Sequence, residues 1–421
     1  MAQAMQPAGA RFADLGVAPS LLNILDKLNY TEATPIQHQC IPLALDGKDV
    51  VGIAQTGTGK TLAFGLPMIQ RLGRTGGQGL ILLPTRELAL QVEEVLQKVG
   101  RSIGLRTAVL IGGAASYQQI AMLRKNPHVV VSTPGRLLDH LERKNYSLKD
   151  VRMVVLDEAD RMLDIGFMPQ IKKIMAGVPT DRQTMLFSAT MPKEIADIAA
   201  RYMRIPIRIE VAPAGTAAET VEQEIFVVPR EGKLQLLDKM LGESRGTVLV
   251  FSRTKHGAKK ITKSVRDMGH TAAEIHSNRS LAQRRDALEG FKTGRYRILI
   301  ATDIAARGID VQGISLVINY DLPDNLEDYV HRIGRTGRAG SYGKAVSFAT
   351  PDQRGDIRYI ERLIRKTIPV LSLPTLPPRR AVVAEQQSSA RPFVSARPNR
   401  DQHRRPSGPR GGERRRSRFR S

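Results

Sequence analysis

Short apolar runs recur along the first half of the chain, and longer amphipathic stretches separate them. Strands that are covered on both faces lack the polar and apolar alternation of half-exposed strands. The runs therefore predict buried strands, at residues 49–54, 79–83, 107–111, 129–132, 153–156 and 184–187. The stretches between them, such as residues 86–100 and 192–203, have the length and periodicity of helices. This alternation predicts a parallel sheet with helices on both faces.

The alternation stops at residues 212–219, which are mostly small and include Pro213 and Gly215, as is typical of a linker. A second series of apolar runs then predicts strands at residues 224–228, 248–251, 272–276, 298–301, 316–319 and 345–348. The predicted fold class is α/β, with two tandem parallel-sheet lobes at residues 1–211 and 220–370.

Residues 371–421 form a segment of different composition. From Ser372 onward the chain holds 13 Arg, no Lys and 3 acidic residues, and its only aromatic residues are Phe393 and Phe419. Such a segment cannot bury enough apolar surface to offset the loss of chain entropy, so we predict a disordered tail. Arg-rich disordered segments often bind the RNA backbone. The alternative is a flexible tail without a specific partner.

The charge of the whole chain favours a polyanionic partner. With 64 basic and 41 acidic residues its net charge is +23, which attracts nucleic acid, although a basic surface also serves solubility. No apolar run approaches the roughly 18–20 residues of a membrane span, and we see no secretory signal. The single cysteine, Cys40, excludes an intramolecular disulfide and a Cys-based zinc site and is compatible with the cytoplasm.

A glycine-rich loop follows the first strong strand and opens a helix. Glycines let backbone N–H groups point at phosphates, and the helix N-terminus adds to their attraction. Lys60 would reach the β- and γ-phosphates, and the Thr61 hydroxyl would hold Mg²⁺. The general pattern begins with Gly where this chain has Ala54, but its Gly-Lys-Thr core is intact. The predicted nucleotide-binding residues are Ala54, Gln55, Thr56, Gly57, Thr58, Gly59, Lys60 and Thr61.

Two acids, Asp157 and Glu158, follow another strand, at the carboxyl edge where ligands bind in such sheets. Asp157 would hold Mg²⁺ directly or through its water shell, and Glu158 would orient and deprotonate the attacking water. Paired acids after a strand often only begin a solvated helix. The phosphate loop in the same lobe favours the catalytic interpretation.

Asp157, Glu158, Ala159 and Asp160 spell the tetrad of the DEAD-box RNA helicases, and about residues 12–370 resemble this family. The resemblance implies two RecA-like lobes that use ATP and Mg²⁺ and act on RNA. It also implies that Gln37, in the string from Thr34 to Gln37, recognises adenine through its amide, and that Phe12 stacks on the base.

The same resemblance assigns RNA contacts and coupling residues. The RNA-contacting positions would be Pro84, Thr85, Arg86, Gly112, Gly113, Thr133, Pro134, Gly135 and Arg136 in the first lobe, and Arg253 and Thr302 in the second. The positions that couple hydrolysis to RNA binding would be Ser188, Ala189, Thr190, Asp160 and His331.

The second lobe would also complete the ATP site. By resemblance Gly308 and Asp310 contact the nucleotide, and Arg335 and Arg338 are arginine fingers. Planar guanidinium groups stabilise the charge of phosphoryl transfer, with effects on the order of 10³–10⁵ in rate.

One position departs from the family's pattern. The family usually has Gln three residues before the Arg matched by Arg284, and this chain has Leu281 there, with Gln283 in a different register. The departure affects one RNA or interdomain contact and leaves the ATPase chemistry intact. The compact core with a basic tail looks most like the bacterial RhlE subgroup.

The sequence therefore predicts an RNA-dependent ATPase and RNA helicase that couples lobe closure to local duplex unwinding or to remodelling of RNA–protein complexes. We expect a cytoplasmic monomer whose contacts are with the RNA backbone. Ribosomal precursors and the RNA decay machinery both remain open as partners. The alternatives are an ATP-gated RNA clamp or annealing chaperone with little unwinding, and a DNA translocase of the wider helicase superfamily.

Overall fold

Parallel β-strands form the centre of both predicted lobes. The computed structural model describes residues 10–55, 57–211, 221–306, 311, 313–326, 328–337 and 343–377. Several predictions fall outside these residues: the linker at 212–219, the tail from residue 378, and Thr56, Gly308, Asp310 and Arg338.

In the first lobe the strands are β1 (Val50–Ile53), β2 (Gln78–Leu82), β3 (Thr107–Leu110), β4 (Val129–Ser132), β5 (Val151–Leu156), β6 (Gln183–Ser188) and β7 (Ile207–Glu210). They pair in parallel in the order β3-β4-β2-β5-β6-β1-β7. The helices are α1 (Pro19–Lys27), α2 (Pro35–Leu45), α3 (Lys60–Thr75), α4 (Arg86–Gly100), α5 (Ser116–Arg124), α6 (Pro134–Glu142), α7 (Ala159–Asp164), α8 (Met168–Gly177) and α9 (Lys193–Tyr202).

In the second lobe the strands are β8 (Val221–Val227), β9 (Val248–Phe251), β10 (Ala272–Ile275), β11 (Ile298–Ala301), β12 (Leu316–Asn319), β13 (Gly343–Ala349) and β14 (Val370–Leu371). Their order is β10-β11-β9-β12-β13-β8-β14, again parallel. The helices are α10 (Lys233–Glu243), α11 (Lys255–Asp267), α12 (Leu281–Lys292), α13 (Asp303–Ala306), α14 (Asp328–Ile333) and α15 (Arg354–Ile364).

Each sheet separates two apolar clusters. In β2, Ile81 faces one cluster of the first lobe, while Leu80 and Leu82 face the other, and all three are fully buried. Because both faces are covered, nearly every position of a central strand such as β2 or β9 is apolar, which explains the uninterrupted runs. The predicted α/β fold with two parallel-sheet lobes is thereby confirmed.

The edge strands β7 and β14 were not predicted, whereas the edge strands β3 and β10 were. In β7, Ile207 and Ile209 alternate with charged residues, and β14 is only two residues long. Residues 371–377, which the sequence assigned to the tail, lie against the second lobe. Leu376 packs on one of its apolar clusters, and Gln235 Nε2 donates to the Pro377 carbonyl at 2.6 Å. Among the described helices, none is both long and apolar enough to span a membrane.

Candidate functional site

The sheet order brings the predicted catalytic segments together. Strands β5, β6 and β1 are neighbours, and parallel strands end at the same edge of a sheet. The phosphate loop follows β1, the acids follow β5, and Ser188 is the last residue of β6. Residues far apart in the chain thus share one site in the first lobe.

The phosphate loop has the backbone that a phosphate cradle requires. Gly57 and Gly59 adopt positive φ angles of 89° and 90°, which disfavour side chains. A Cβ at Gly59 would also collide with the amide of Gln37. Gly59 caps α3, so the free N–H groups of the first turn begin at Lys60. These features fit a bound triphosphate.

Lys60 is buried and holds two partners. Its Nζ donates to the Ala54 carbonyl and to Glu158 Oε1, each at 3.1 Å. Burial works against its positive charge, but Glu158 and the neighbouring acids outweigh this and raise the pKa of Lys60. Lys60 therefore remains a cation, poised to exchange a carboxylate for a phosphate.

The two acids have opposite electrostatic environments. Burial raises the pKa of Asp157 to about 7, although Lys60 opposes the shift. Glu158 is equally buried, but Arg161 and Lys60 pair with it and hold its pKa well below the ordinary value. A cation would favour the charged form of Asp157, so this carboxylate and the Thr61 hydroxyl fit Mg²⁺.

Asp160 joins the acids to the end of β6. Its Oδ2 accepts hydrogen bonds from Ala189 N at 3.0 Å, Thr190 N at 2.9 Å and Thr190 Oγ1 at 3.1 Å. Its backbone N–H donates to Ser188 Oγ at 3.1 Å. The predicted coupling residues of the first lobe therefore form one hydrogen-bonded unit beside Glu158.

His331 belongs to the second lobe and lies close to these acids. Burial and Arg161 lower the pKa of His331 to about 4, and the charges of Asp160 and Glu158 act in the opposite direction. Arg335 is also buried, and its Nε donates to the His331 carbonyl at 3.3 Å. Both lobes thus contribute side chains to the region around Glu158.

The predicted adenine contacts lie next to the phosphate loop and in the core. Gln37 Nε2 donates to the Gly59 carbonyl at 3.0 Å, and its Oε1 accepts from Thr34 N at 2.9 Å. The amide keeps a second proton and a second lone pair for another partner. Phe12 is buried in an apolar cluster of the first lobe.

The predicted RNA segments of the first lobe also meet. Thr85 caps α4, Thr133 precedes α6, and Pro134 and Gly135 form the first turn of α6. Arg86 lies against the turn at Gly112 and Gly113, where a Cβ on Gly113 would collide with its guanidinium.

The two RNA positions predicted for the second lobe also follow strand ends. Arg253 comes after β9, and its backbone N–H donates to Asp321 Oδ2 at 3.1 Å. Thr302 comes after β11.

Sequence reasoning missed several buried polar residues of the site. Arg161, next to the tetrad, is completely buried and pairs with Glu158 at 3.1 Å. Arg332 is buried as well, pairs with Asp303 and lies over the ring of Phe251 at 4.9 Å. Arginine is usually exposed, so neither burial follows from residue type.

The departure at Leu281 has a structural explanation. Leu281 packs against an apolar cluster of the first lobe, and Arg284, one turn along α12, pairs with Glu87 of the first lobe at 2.8 Å. Gln283 instead forms a capping box with Ser280 at the start of α12. This position therefore makes an apolar contact between the lobes.

Comparison with known proteins agrees with this site. Residues 34–198 match the DEAD/DEAH box helicase family, and residues 232–340 match the helicase conserved C-terminal domain. The DEAD-box ATP-dependent RNA helicase CshA of Bacillus cereus is 44% identical over 368 residues, which are 87% of this chain and 70% of that protein.

Two solved structures are also similar to the chain. One is a DEAD box protein from Methanococcus jannaschii, with 40% identity, a TM-score of 0.52 and coverage of 86% of this chain and 99% of the other. The second is S. cerevisiae Dbp5 bound to RNA and ADP BeF3, with 30% identity, a TM-score of 0.77 and coverage of 86% and 95%.

Proposed function

The chain belongs to the DEAD-box family of ATP-dependent RNA helicases, and we propose that it couples ATP hydrolysis and lobe closure to local RNA unwinding or RNP remodelling. Its resemblance to the RhlE subgroup, its cytoplasmic location and its monomeric state remain predictions.

The observation that carries the proposal is the convergence of both lobes on one carboxylate. Lys60 and Arg161 of the first lobe pair with Glu158, and His331 of the second lobe is close enough to interact electrostatically with it. A site that needs both lobes is complete only when they are together. Hydrolysis can therefore depend on whatever brings the lobes together.

Within the first lobe we propose that Lys60 and the glycine loop bind the triphosphate of ATP. Thr61 and Asp157 would hold Mg²⁺, which supplies charge neutralisation at the phosphate oxygens. Once Lys60 binds phosphate, its 3.1 Å contact with Glu158 is released. Glu158 would keep its pair with Arg161, and the oxygen released by Lys60 would orient the attacking water and accept its proton.

The second lobe would supply the remaining groups. Arg335 would stabilise the charge on the transferred phosphoryl group, and the resemblance gives Arg338, Gly308 and Asp310 related roles. The unit formed by Asp160 and Thr190 lies beside Glu158, because Asp160 is two residues further along the chain and bonds to Thr190. We propose that it transmits the presence of RNA to Glu158, with His331 as its contact from the second lobe.

RNA would lie across the ends of both sheets. Gly112, Gly113 and Gly135 leave room for backbone N–H groups to approach phosphates, which are contacted without regard to base sequence. Arg253 and Thr302 would continue this surface on the second lobe. A-form shape and 2′-hydroxyl contacts would favour RNA over DNA.

The lobe arrangement supports a closed, RNA-bound state. The chain superposes better on RNA-bound Dbp5 than on the archaeal protein, although the archaeal protein is more similar in sequence. Binding of ATP and RNA would stabilise this arrangement, bend the bound strand and open a short duplex. Loss of the γ-phosphate would let the lobes separate.

An ATP-gated RNA clamp or annealing chaperone is the second candidate, favoured by the excess of Arg in residues 378–421. Such a protein would use the same ATP site with little strand separation. A strand-separation assay run beside an annealing assay distinguishes the two functions.

The first test is ATP hydrolysis by the purified chain with and without single-stranded RNA. Single-stranded DNA of the same sequence serves as competitor, and the Glu158→Gln variant serves as the blank. We expect strong stimulation by RNA alone. Equal stimulation by DNA would favour a general nucleic-acid translocase, and no stimulation by either would contradict the proposed coupling.

A further inference from the structure

Gln119 lies on α5 between two of the segments proposed to bind RNA, and only 1% of its surface is exposed. Its Nε2 donates to the Ile111 carbonyl at 3.0 Å and to the Ala114 carbonyl at 3.2 Å. These carbonyls flank Gly112 and Gly113. The amide nitrogen of Gln119 therefore holds both ends of the glycine turn.

The amide oxygen of Gln119 holds the other segment. Its Oε1 accepts from Arg136 Nε at 3.1 Å and lies 3.2 Å from His140 Nε2. Both residues belong to α6, whose first turn contains Pro134 and Gly135. Arg136 Nη2 also donates to Ser116 Oγ at 2.5 Å, at the start of α5. One buried side chain thus connects the glycine turn to the start of α6.

All hydrogen-bonding positions of this amide are used. A primary amide has two protons and two oxygen lone pairs, and each has a partner here. Because Oε1 can only accept, His140 must donate from Nε2, which leaves Nδ1 to accept from Asn145 Nδ2 at 3.4 Å. Burial and Arg136 lower the pKa of His140, which agrees with this neutral form. The arrangement fixes both the amide orientation and the imidazole tautomer.

We infer that Gln119 is a positioning residue of the RNA-binding surface. It sets the spacing between the backbone N–H groups of the glycine turn and those of the first turn of α6, so that both meet the phosphates of one strand. Protein groups that bind successive phosphates of an RNA strand must match the spacing of those phosphates. Movement of the glycine turn relative to the first turn of α6 should therefore weaken RNA binding without altering the ATP site. This inference rests on the proposed function.

Two substitutions separate the roles of the amide. Gln119→Leu removes all four hydrogen bonds while keeping similar volume. Gln119→Glu keeps an acceptor for Arg136 but loses both protons, so the Ile111 and Ala114 carbonyls face a carboxylate. We expect Gln119→Leu to have the larger effect and Gln119→Glu an intermediate one.

Gln183 offers a matched control. It is a buried glutamine of the same lobe, and its Nε2 also donates to two carbonyls, those of Ala44 at 2.9 Å and Lys48 at 2.7 Å. It begins β6, at the opposite end of the strand from Ser188. Gln183→Leu therefore reproduces the loss of buried hydrogen bonds away from the RNA-binding surface.

The experiment measures the RNA concentration that gives half-maximal stimulation of the full chain's ATPase, together with the KM for ATP. We expect Gln119→Leu to raise the half-saturating RNA concentration about tenfold or more, with the KM for ATP and the rate at saturating RNA within about twofold of wild type. Gln183→Leu should change neither constant beyond about twofold.

A double-mutant cycle adds a second readout. If Gln119 acts partly through Arg136, then Arg136→Ala in the Gln119→Leu background should weaken RNA binding by less than it does in wild type.

The outcomes distinguish this inference from the proposed function. A wild-type ATPase that ignores RNA contradicts the proposed function itself. If wild type and Gln119→Leu reach half-maximal stimulation at the same RNA concentration, only the role of Gln119 is overturned. The same conclusion follows if Gln183→Leu raises this RNA concentration as much as Gln119→Leu does. If Gln119→Leu does not fold, the same measurement is made on Gln119→Glu. An unchanged half-saturating RNA concentration in that variant refutes the inference.

Discussion

Arg284 Nη2 of the second lobe lies 2.8 Å from Glu87 Oε2 of the first lobe. Their side chains are only 10% and 5% exposed, so the pair is almost fully removed from water. Glu87 is on α4 and directly follows Arg86, one of the proposed RNA contacts. The pair therefore joins the two lobes next to the proposed RNA-binding surface.

Removing one member of this pair should oppose closure. Glu87→Ala leaves the Arg284 guanidinium buried without its counter-ion, which costs about 3–5 kcal/mol in buried pairs, whereas separated lobes expose Arg284 to water. We expect the RNA-stimulated ATPase rate to fall at least about tenfold, with ATP binding to the first lobe nearly unchanged. Glu243→Gln, which breaks an exposed ion pair with Lys239, is the control. Wild-type stimulation of Glu87→Ala would contradict this role.

Leu281 should contribute to closure in a way that salt does not screen. Its side chain packs on the apolar core of the first lobe. Leu281→Ala loses part of this burial, worth roughly 1 kcal/mol for a half-buried leucine, and Leu281→Asp should be more severe. We expect fluorescence transfer between dyes on the two lobes, measured with RNA and an ATP analogue, to report less closure. The loss should be the same at low and high salt.

A matched control is Leu373→Ala, which removes an exposed leucine of the second lobe. If Leu281→Ala and Leu373→Ala close equally well, the apolar contact has no part in holding the lobes together.

Glu158→Gln should bind ATP at least as well as wild type. The Glu158 carboxylate accepts a hydrogen bond from Lys60 Nζ at 3.1 Å and would compete with a phosphate for this cation, whereas an amide would compete less well. The amide also cannot accept the proton of the attacking water, so hydrolysis should fall by about 10²–10⁴. Equilibrium binding of a labelled ATP and single-turnover hydrolysis separate these effects. Rapid turnover by Glu158→Gln would contradict the proposed role of Glu158 in activating the water.

Lys60→Ala should lose ATP binding, because it removes the cation proposed to bind the phosphates.

The central strands could be predicted from the sequence because both faces of each sheet are covered. Strands such as β4 and β9 are apolar at nearly every position and were predicted at their observed bounds. The edge strand β7 was missed because Arg208 and Glu210 face solvent, which leaves only two apolar positions in four. Strand β14 was missed because it is only two residues long, and two residues show no periodicity.

Local motifs predicted the phosphate loop and the acids, because their chemistry follows from adjacent residues. The partners of those residues could not be predicted in the same way. Gln119 bonds to Arg136 across 17 positions, and Arg284 reaches Glu87 from the other lobe. No spacing rule relates such positions, and buried Gln and Arg look like surface residues in a sequence. At Leu281 the sequence indicated only that the chain departs from the family pattern. The structure was needed to show that this side chain packs against the first lobe.

Lower pH should weaken closure through His331. Burial and Arg161 lower its pKa from the ordinary 6.5 to about 4, so the closed arrangement favours the neutral ring. Separating the lobes removes Arg161 from His331, so we expect the pKa of His331 to rise toward its ordinary value. The contribution of His331 to closure is therefore complete above about pH 6.5. As the pH falls from there toward 4, the equilibrium constant for closure should decrease by up to roughly tenfold per pH unit.

We expect the half-saturating RNA concentration of the ATPase to rise as the pH falls below 6.5. Other groups titrate in this range, so the informative quantity is the difference between wild type and His331→Asn, which lacks the titrating ring. Parallel pH profiles for the two proteins would exclude His331 as the source of the dependence.

Truncation after Pro377 should weaken RNA binding and reduce its dependence on salt. Residues 371–377 pack on the second lobe, so this boundary spares the fold and removes all 13 Arg of the predicted tail. For each phosphate that the shortened chain no longer neutralises, the slope of log K against log salt concentration should decrease by about 0.7 for a single strand. Replacing the 13 Arg by Lys keeps the charge and should keep the slope, whereas replacing them by Gln should match the truncation. Equal slopes for the truncated and full chains would show that the tail is not an RNA anchor, and a lower slope in the Lys variant would assign the contact to guanidinium geometry rather than to charge.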